Sequence, residues 1–211
     1  MSTMAAKQSA DSRHVVAGCI CEFLEVAFHY ILYVRQIYPA GAFSRRLKYN
    51  VPVMVCLHPE LCHYVEDVLE GVKPLLEQGV VQQIALVVLS PQGEPLERFV
   101  FEFDLPPSTP LCDEEHLEPL QVALRSFVLK LSLSDAVLLD NPSGCSFAVF
   151  AYTLEGKEIP ETMGLSSNFP WVEAEESEHR TTSGRIVPLK TCSCALLRMQ
   201  LYVEESELKT Q

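Results

Sequence analysis

The sequence predicts an α+β fold: three helices packed on one face of a mostly antiparallel β-sheet. Three observations predict it. A long segment near the start is apolar almost all round, as the central helix of a domain is. Two later segments carry apolar residues on one helical stripe. Between and beyond them lie short runs rich in Val, Ile, Phe and Tyr, bounded by Pro and Gly.

Residues 1–10 are small and polar and read as a disordered tail. The first helix runs from about Asp11 to Tyr38, with Asp11 or Ser12 as N-cap and Pro39-Ala40-Gly41 as stop signal. Val16, Ile20, Phe23, Ala27, Tyr30, Ile31 and Val34 form one stripe, while Leu24, Phe28 and Leu32 load the other side. Tyr49–Leu57 reads as a strand, and Pro52 within it suggests an edge position. Pro59 opens the second helix at its first turn. It runs to about Glu77 with Leu61, Val65, Val68, Leu69 and Val72 inward, and Pro74 should kink or end it.

Two strands follow, Val80–Leu89 and Leu96–Phe103, joined by the turn Ser90-Pro91-Gln92-Gly93. The first is nearly continuous in apolar residues, as a central strand would be. The second alternates, with Phe99, Phe101 and Phe103 on one face and Arg98 and Glu102 on the other. A proline-rich connection, Leu105 to Glu114, leads to the third helix, Glu115–Leu133, which carries Leu120, Leu124, Phe127, Val128 and Leu131. After the turn Asn141-Pro142-Ser143-Gly144 comes another alternating strand, Cys145–Leu154. Residues 155–184 are polar and acidic, with Phe169-Pro170-Trp171 as the one apolar island, and Ile186–Leu189 and Leu196–Val203 are strands again. The last quarter thus reads as a mobile segment between ordered strands, where binding function tends to sit.

Composition narrows the function. The 211 residues, 48% hydrophobic and 21% charged, suit a globular domain with a core that needs no staple. A formal charge of −12 repels phosphate, so direct nucleic-acid binding is not expected, and the basic run Arg45-Arg46-Leu47-Lys48 is too short to outweigh it. The segment Val15–Val34 is apolar enough to suggest a membrane span, but Glu22 and Glu25 within it should defeat insertion, and no membrane partner is expected. Eight cysteines include no C-x-x-C pair. The sharpest cluster, Cys56, His58, Cys62 and His63, lacks a second knuckle at zinc spacing, so buried free thiols in a reducing compartment are the better reading and no metal is assigned.

No phosphate loop, dinucleotide fingerprint, H-E-x-x-H or nucleophile elbow is present, and the six histidines bear no spacing relation to a nucleophile. A solvated helix face accounts for Glu66, Asp67 and Glu70. Weight shifts from an enzyme, for which a cysteine nucleophile would be the remaining form, toward an interaction protein without a cofactor. The only tryptophan, Trp171, stands beside Glu173, Glu175 and Glu176, and is either a core residue in a charged loop or a surface grip.

The blocks CEFLEVAFHYILYVRQIYPAGAF, YNVPV, HPEL, VKPLLE, RFVFEF, LSDAVLLDNPSGCSF, FPW and IVPLKT…LRMQLYVEE resemble, in order, the HORMA-domain family, and within it the regulatory, non-catalytic subunit of DNA polymerase zeta. The resemblance runs from about Val15 to Glu205; the N-terminus and residues 155–168 depart from it. It implies one HORMA domain over 11–205, with a core at about 11–154, a mobile C-terminal safety belt at about 155–205 that closes over a partner peptide, and a tail at 206–211.

By the same resemblance, Tyr64 and Trp171 grip a proline-containing peptide of the polymerase zeta catalytic subunit or of a shieldin subunit. Ile186, Gln200 and Tyr202 dock the C-terminal domain of the Y-family deoxycytidyl-transferase polymerase. Arg125, Lys130 and Ala136 contact another HORMA protomer, and an AAA+ remodelling ATPase opens the closed form. The implied roles are translesion synthesis, double-strand-break repair and cell division, in the nucleus, with cytoplasm and spindle as further places. A spindle-checkpoint-type regulator of the anaphase-promoting complex is the alternative. On the residues alone, Tyr64 could equally pack the second helix, Tyr202 could be an ordinary outward tyrosine and Arg125 a solvated side chain.

Overall fold

A computed structural model describes residues 2–106, 114–154, 171–174 and 184–210. Helix α1 spans Ser2–Val34. It begins well before the expected cap at Asp11, because Met4-Ala5-Ala6-Lys7-Gln8 are good helix formers that extend it toward the N-terminus. It also ends before Pro39. Gln36 takes a left-handed φ of 55°, the Gln36 N–H donates to Tyr33 O, and the Ile37 N–H donates to Leu32 O. This is a Schellman stop, made here without glycine.

The expected strand at 49–57 is the second half of a hairpin, β1 (Phe43–Lys48) and β2 (Val51–Cys56). Tyr49 and Asn50, at φ 50° and 54°, form the two-residue turn; positive φ at both central positions matches the twist of the flanking strands. Helix α2 (Pro59–Glu77) starts and stops where the sequence places it, and Pro74 lies inside it without ending it. Strands β3 (Val81–Leu89) and β4 (Pro95–Asp104), helix α3 (Glu114–Leu131) and strands β5 (Ser146–Thr153), β6 (Gly184–Ser193) and β7 (Arg198–Ser206) complete the fold.

The main sheet has five strands in the order β5-β3-β4-β7-β6, and every pairing is antiparallel. Successive strands β5 and β6 therefore occupy opposite edges. The helices pack on one face. Phe101 of β4 joins the layers: its ring meets Phe23 at 5.9 Å and Phe28 at 6.1 Å, both edge-on, and Phe23 meets Phe127 of α3 at 5.9 Å. Phe23, Phe28, Phe101 and Phe127 are all fully buried, which explains why α1 is apolar on every side.

The helix-free face holds a smaller apolar layer. Ala85, Val87 and Val100 are buried there, with Leu89, Phe150, Tyr152 and Tyr202 packed against them. Arg98 faces away from the phenylalanines as expected, yet it is 7% exposed. It donates to Glu204 and, at 2.9 Å, to the Tyr152 hydroxyl, and its guanidinium lies over the Tyr152 ring.

Residues 206–210, within the stretch 206–211 expected as a tail, pack into the fold. Ser206 ends β7 and Glu207–Thr210 form a 3-10 turn. That turn carries the Lys209 ammonium, fully buried, onto Glu97 of β4, which Arg35 also holds at 2.7 Å. Glu205 joins from the adjacent position, 3.3 Å from Lys209 and 2.7 Å from Arg185. Burial pushes the Glu205 carboxyl up, but the Leu139 N–H, Arg185 and Lys209 together hold it below the usual range.

Candidate functional site

Strand β5 is an outer strand of the main sheet, so one side of its backbone has no strand partner among the described residues. Helix α2 lies alongside it. Tyr64 and Gly71, two helical turns apart, share one stripe of α2. Tyr64 meets Phe147 of β5 edge-on, with centroids 5.6 Å apart. Burial raises the Tyr64 pKa, and a hydrogen bond with the Val149 backbone of β5 opposes the rise. Tyr38, His58, Glu60, Leu61, Tyr64 and Phe147 line a cleft of about 320 Å³ at this edge. Its walls are mainly aromatic, its rim carries Glu60 and His58, and the open strand offers main-chain groups. Such a site suits an extended peptide with a ring or aliphatic side chain to insert.

Trp171 is half-buried and packs against the core. A Cβ added at Gly71 would stand 2.5 Å from the Trp171 Nε1, so the indole sits where only glycine leaves room. Tyr64 and the Trp171 indole thus meet the same stripe of α2, Tyr64 at its contact with β5 and Trp171 at Gly71. Gly71 escaped the sequence reading; its signal was a lone glycine within a strongly amphipathic helix, a position that often marks a close approach. Of the expected belt, residues 155–170 and 175–183 lie outside the described residues, as do Cys112 and His179 and most of the Leu105–Glu114 connection.

Ile186, Gln200 and Tyr202 also come together. On β7, positions 200, 202 and 204 share the helix-free face, and Pro188 and Thr191 of β6 pair with Tyr202 and Gln200. Ile186 pairs with Glu204 and is 64% exposed. Tyr202 is half-buried against Val100; burial raises its pKa, and Glu204 and Glu102 add to the rise. Arg125, Lys130 and Ala136 are exposed along and after α3. They border exposed Val122, Leu129, Leu133 and Val137, an aliphatic patch the sequence reading did not single out.

The thiols favour no nucleophile. Among the described residues none of the seven cysteines forms a disulfide, but only Cys56 is buried and the others are half-buried, which corrects the expectation of buried thiols. Burial pushes Cys21 up to about 12 and raises Cys62 and Cys145, so these are weak sources of thiolate. Cys62 donates to Cys56 O at 3.2 Å, and His63 lies 3.5 Å from Asp67. Among the described residues no group of three His, Cys, Asp or Glu could hold a metal ion. Among the described residues one helical stretch, Ser12–Val34, is long and apolar enough to cross a membrane, and it is largely buried inside the fold.

The three-helix, antiparallel arrangement with an open β5 edge is that of a HORMA fold. The HORMA-domain model matches residues 17–127, and the chain belongs to the HORMA-domain family. It is similar to the mitotic spindle assembly checkpoint protein MAD2B of Homo sapiens, 45% identical over 204 residues, 96% of this chain and 97% of that one. It is also similar to the DNA polymerase zeta processivity subunit of Arabidopsis thaliana, 33% identical over 92% of this chain and 87% of that protein. DNA polymerase zeta subunit 2 of Drosophila melanogaster is 33% identical over 83% and 88%. Among solved structures, a chain of the mitotic checkpoint complex matches with a TM-score of 0.76 at 22% identity, covering 90% of this chain and 98% of that one. C. elegans HTP-2 bound to the HIM-3 closure motif matches at 0.70 and 15%, covering 90% and 89%. Both show likeness of fold. The family and the relatives' names point to regulatory or adaptor proteins rather than enzymes.

Proposed function

We propose that this chain is a nuclear, non-catalytic adaptor. It traps a proline-containing peptide of the DNA polymerase zeta catalytic subunit, or of shieldin-type partners, at the β5 edge. Its β6–β7 face then docks a Y-family polymerase, bridging the two in translesion synthesis and DNA repair. One observation carries the reading: Tyr64 of α2 meets the β5 edge, and Trp171 packs at Gly71 on the same stripe of that helix. The peptide would add to β5 as a strand, main-chain bonds supplying affinity and the aromatic cleft selecting the proline. A belt that must open before the peptide leaves places the affinity in the off-rate. Arg125, Lys130 and Ala136 would contact a second HORMA protomer, and an AAA+ ATPase would reopen the closed form.

Calorimetry with a peptide of the catalytic subunit tests the grip. Trp171→Ala should cost about 2 kcal/mol or more of binding, roughly thirtyfold, with the domain still folded. Unchanged affinity overturns the assignment. Tyr202→Ala should disrupt polymerase docking and spare peptide capture; loss of both counts against separate surfaces. The checkpoint names of several relatives support a second reading, a HORMA regulator of the anaphase-promoting complex. A pull-down recovering such regulators without a polymerase subunit would favour it.

A further inference from the structure

The hairpin carries a second open edge. Among the described residues strand β1 pairs with β2 alone, in a sheet separate from the main one. In a hairpin with a two-residue turn, the residues flanking the turn exchange both backbone hydrogen bonds, and bonded pairs then alternate along the ladder. Here Lys48 and Val51 flank the turn, so Arg46–Val53 and Ser44–Val55 are the further bonded pairs. Phe43, Arg45 and Leu47 accordingly turn their backbone groups away from β2. The Phe43 N–H donates to Ala40 O, which leaves Arg45 and Leu47 as open rungs. Pro52 obeys the same register: it faces Leu47 in a non-bonded pair, so its missing N–H costs the ladder nothing.

The side chains along this edge are equally distinctive. Arg45, Arg46, Leu47 and Lys48 are all exposed, in a chain of net charge −12. Arg45 and Arg46 have no hydrogen-bond or ion-pair partner among the described residues, while Lys48 lies within electrostatic reach of Glu25. Charges on an edge strand can serve simply to repel a second copy. A guard of that kind would not place an aliphatic side chain that is 69% exposed between its cations, as Leu47 is.

We propose that β1 is a second docking edge, which takes an extended acidic segment of a partner protein as an added strand. The Arg45 and Leu47 rungs supply main-chain bonds, the three cations pair with carboxylates, and Leu47 receives an apolar side chain. A nucleic-acid strand is the disfavoured occupant, since it would meet the acidic remainder of the surface and leave the open rungs unused.

The test uses the full chain and a short fluorescent peptide alternating Glu with Val and Thr, read by anisotropy and by backbone amide shifts. The acidic peptide should bind with its largest shifts at Arg45 and Leu47, and a version with Gln for Glu should bind about tenfold more weakly. Arg45→Glu with Arg46→Glu should lose about tenfold or more. Leu47→Pro removes an outward N–H and no ladder bond, and should lose binding while all three cations remain. Trp171→Ala should bind this peptide as the unmodified chain does. The proposal is overturned if Leu47→Pro binds undiminished, if the shifts fall elsewhere than β1, or if single-stranded oligo-dT binds more tightly than the acidic peptide.

Discussion

Lowering the pH should destabilise this fold through one residue, His29. It is 2% exposed in the middle of α1, and neither ring nitrogen has a hydrogen-bond partner among the described residues. Burial drives its pKa from 6.5 down to about 4. The unfolded chain therefore takes up a proton at this site near pH 6.5, while the folded chain resists until about pH 4. Stability is full above that window, falls through it, and levels off below it. The difference between the two pKa values corresponds to about 3 kcal/mol, a large part of a domain's stability. Urea unfolding from pH 7 to pH 4 checks it, comparing the unmodified chain with His29→Leu. The variant's advantage should grow by about 3 kcal/mol across the range. Comparing the two isolates His29 from Glu25, whose carboxyl burial raises and which opposes the trend. Glu205, held below the usual range, loses its contribution only at lower pH. Parallel curves for the two proteins would refute the reasoning.

Three further outcomes follow from the packing. Gly71→Val should displace the Trp171 indole and weaken peptide capture about as much as Trp171→Ala. Because Trp171 is the chain's only tryptophan, a red shift of its emission reports the displacement directly. Lys209→Met leaves Glu97 and Glu205 with fewer cations in a buried cluster and should cost about 3 kcal/mol in urea unfolding. Phe101→Ala removes the ring that joins α1 to the sheet and should cost about 3–5 kcal/mol, read the same way.

The parts of the fold that were legible in the sequence are those where neighbouring residues determine the outcome. Helix α2 has Pro59 at its start and a clean apolar stripe, and it spans the expected residues. Strands β3 and β4 were found to within a residue of their ends because their apolar patterns stop at turn residues. Strand β1 was missed because Arg45–Lys48 shows no alternation and its turn uses Tyr49-Asn50 rather than a glycine pair. The buried cluster was illegible for another reason. The alternation of β4 puts Arg98 on the outward face and gives no sign that Arg35 and Lys209, distant in sequence, arrive at Glu97, or Glu204 at Arg98. Local pattern left Tyr64 as an ordinary aromatic and Trp171 undecided between core residue and surface grip; the family resemblance assigned both to the peptide, and Gly71 emerged only from the packing.

The placement of the two candidate surfaces bears on whether one chain can hold two partners at once. Tyr64 meets β5 from the helix side, with Trp171 at Gly71 on the same stripe of α2, whereas Ile186, Gln200 and Tyr202 lie on the helix-free face at the β6–β7 edge. Four inter-strand spacings separate β5 from β6, about 19 Å at the usual spacing. At that separation substitutions on the two surfaces should add independently unless a shared element couples them. One element does reach both sides: Arg98 holds Glu204, the strand neighbour of Ile186, and also the hydroxyl of Tyr152 on β5. Arg98→Met is therefore the substitution that separates the cases. If the surfaces act independently, it weakens docking at β6–β7 and leaves peptide affinity unchanged by calorimetry. If both affinities fall while unfolding stability holds, the sheet transmits occupancy from one edge to the other, and the two partners bind cooperatively.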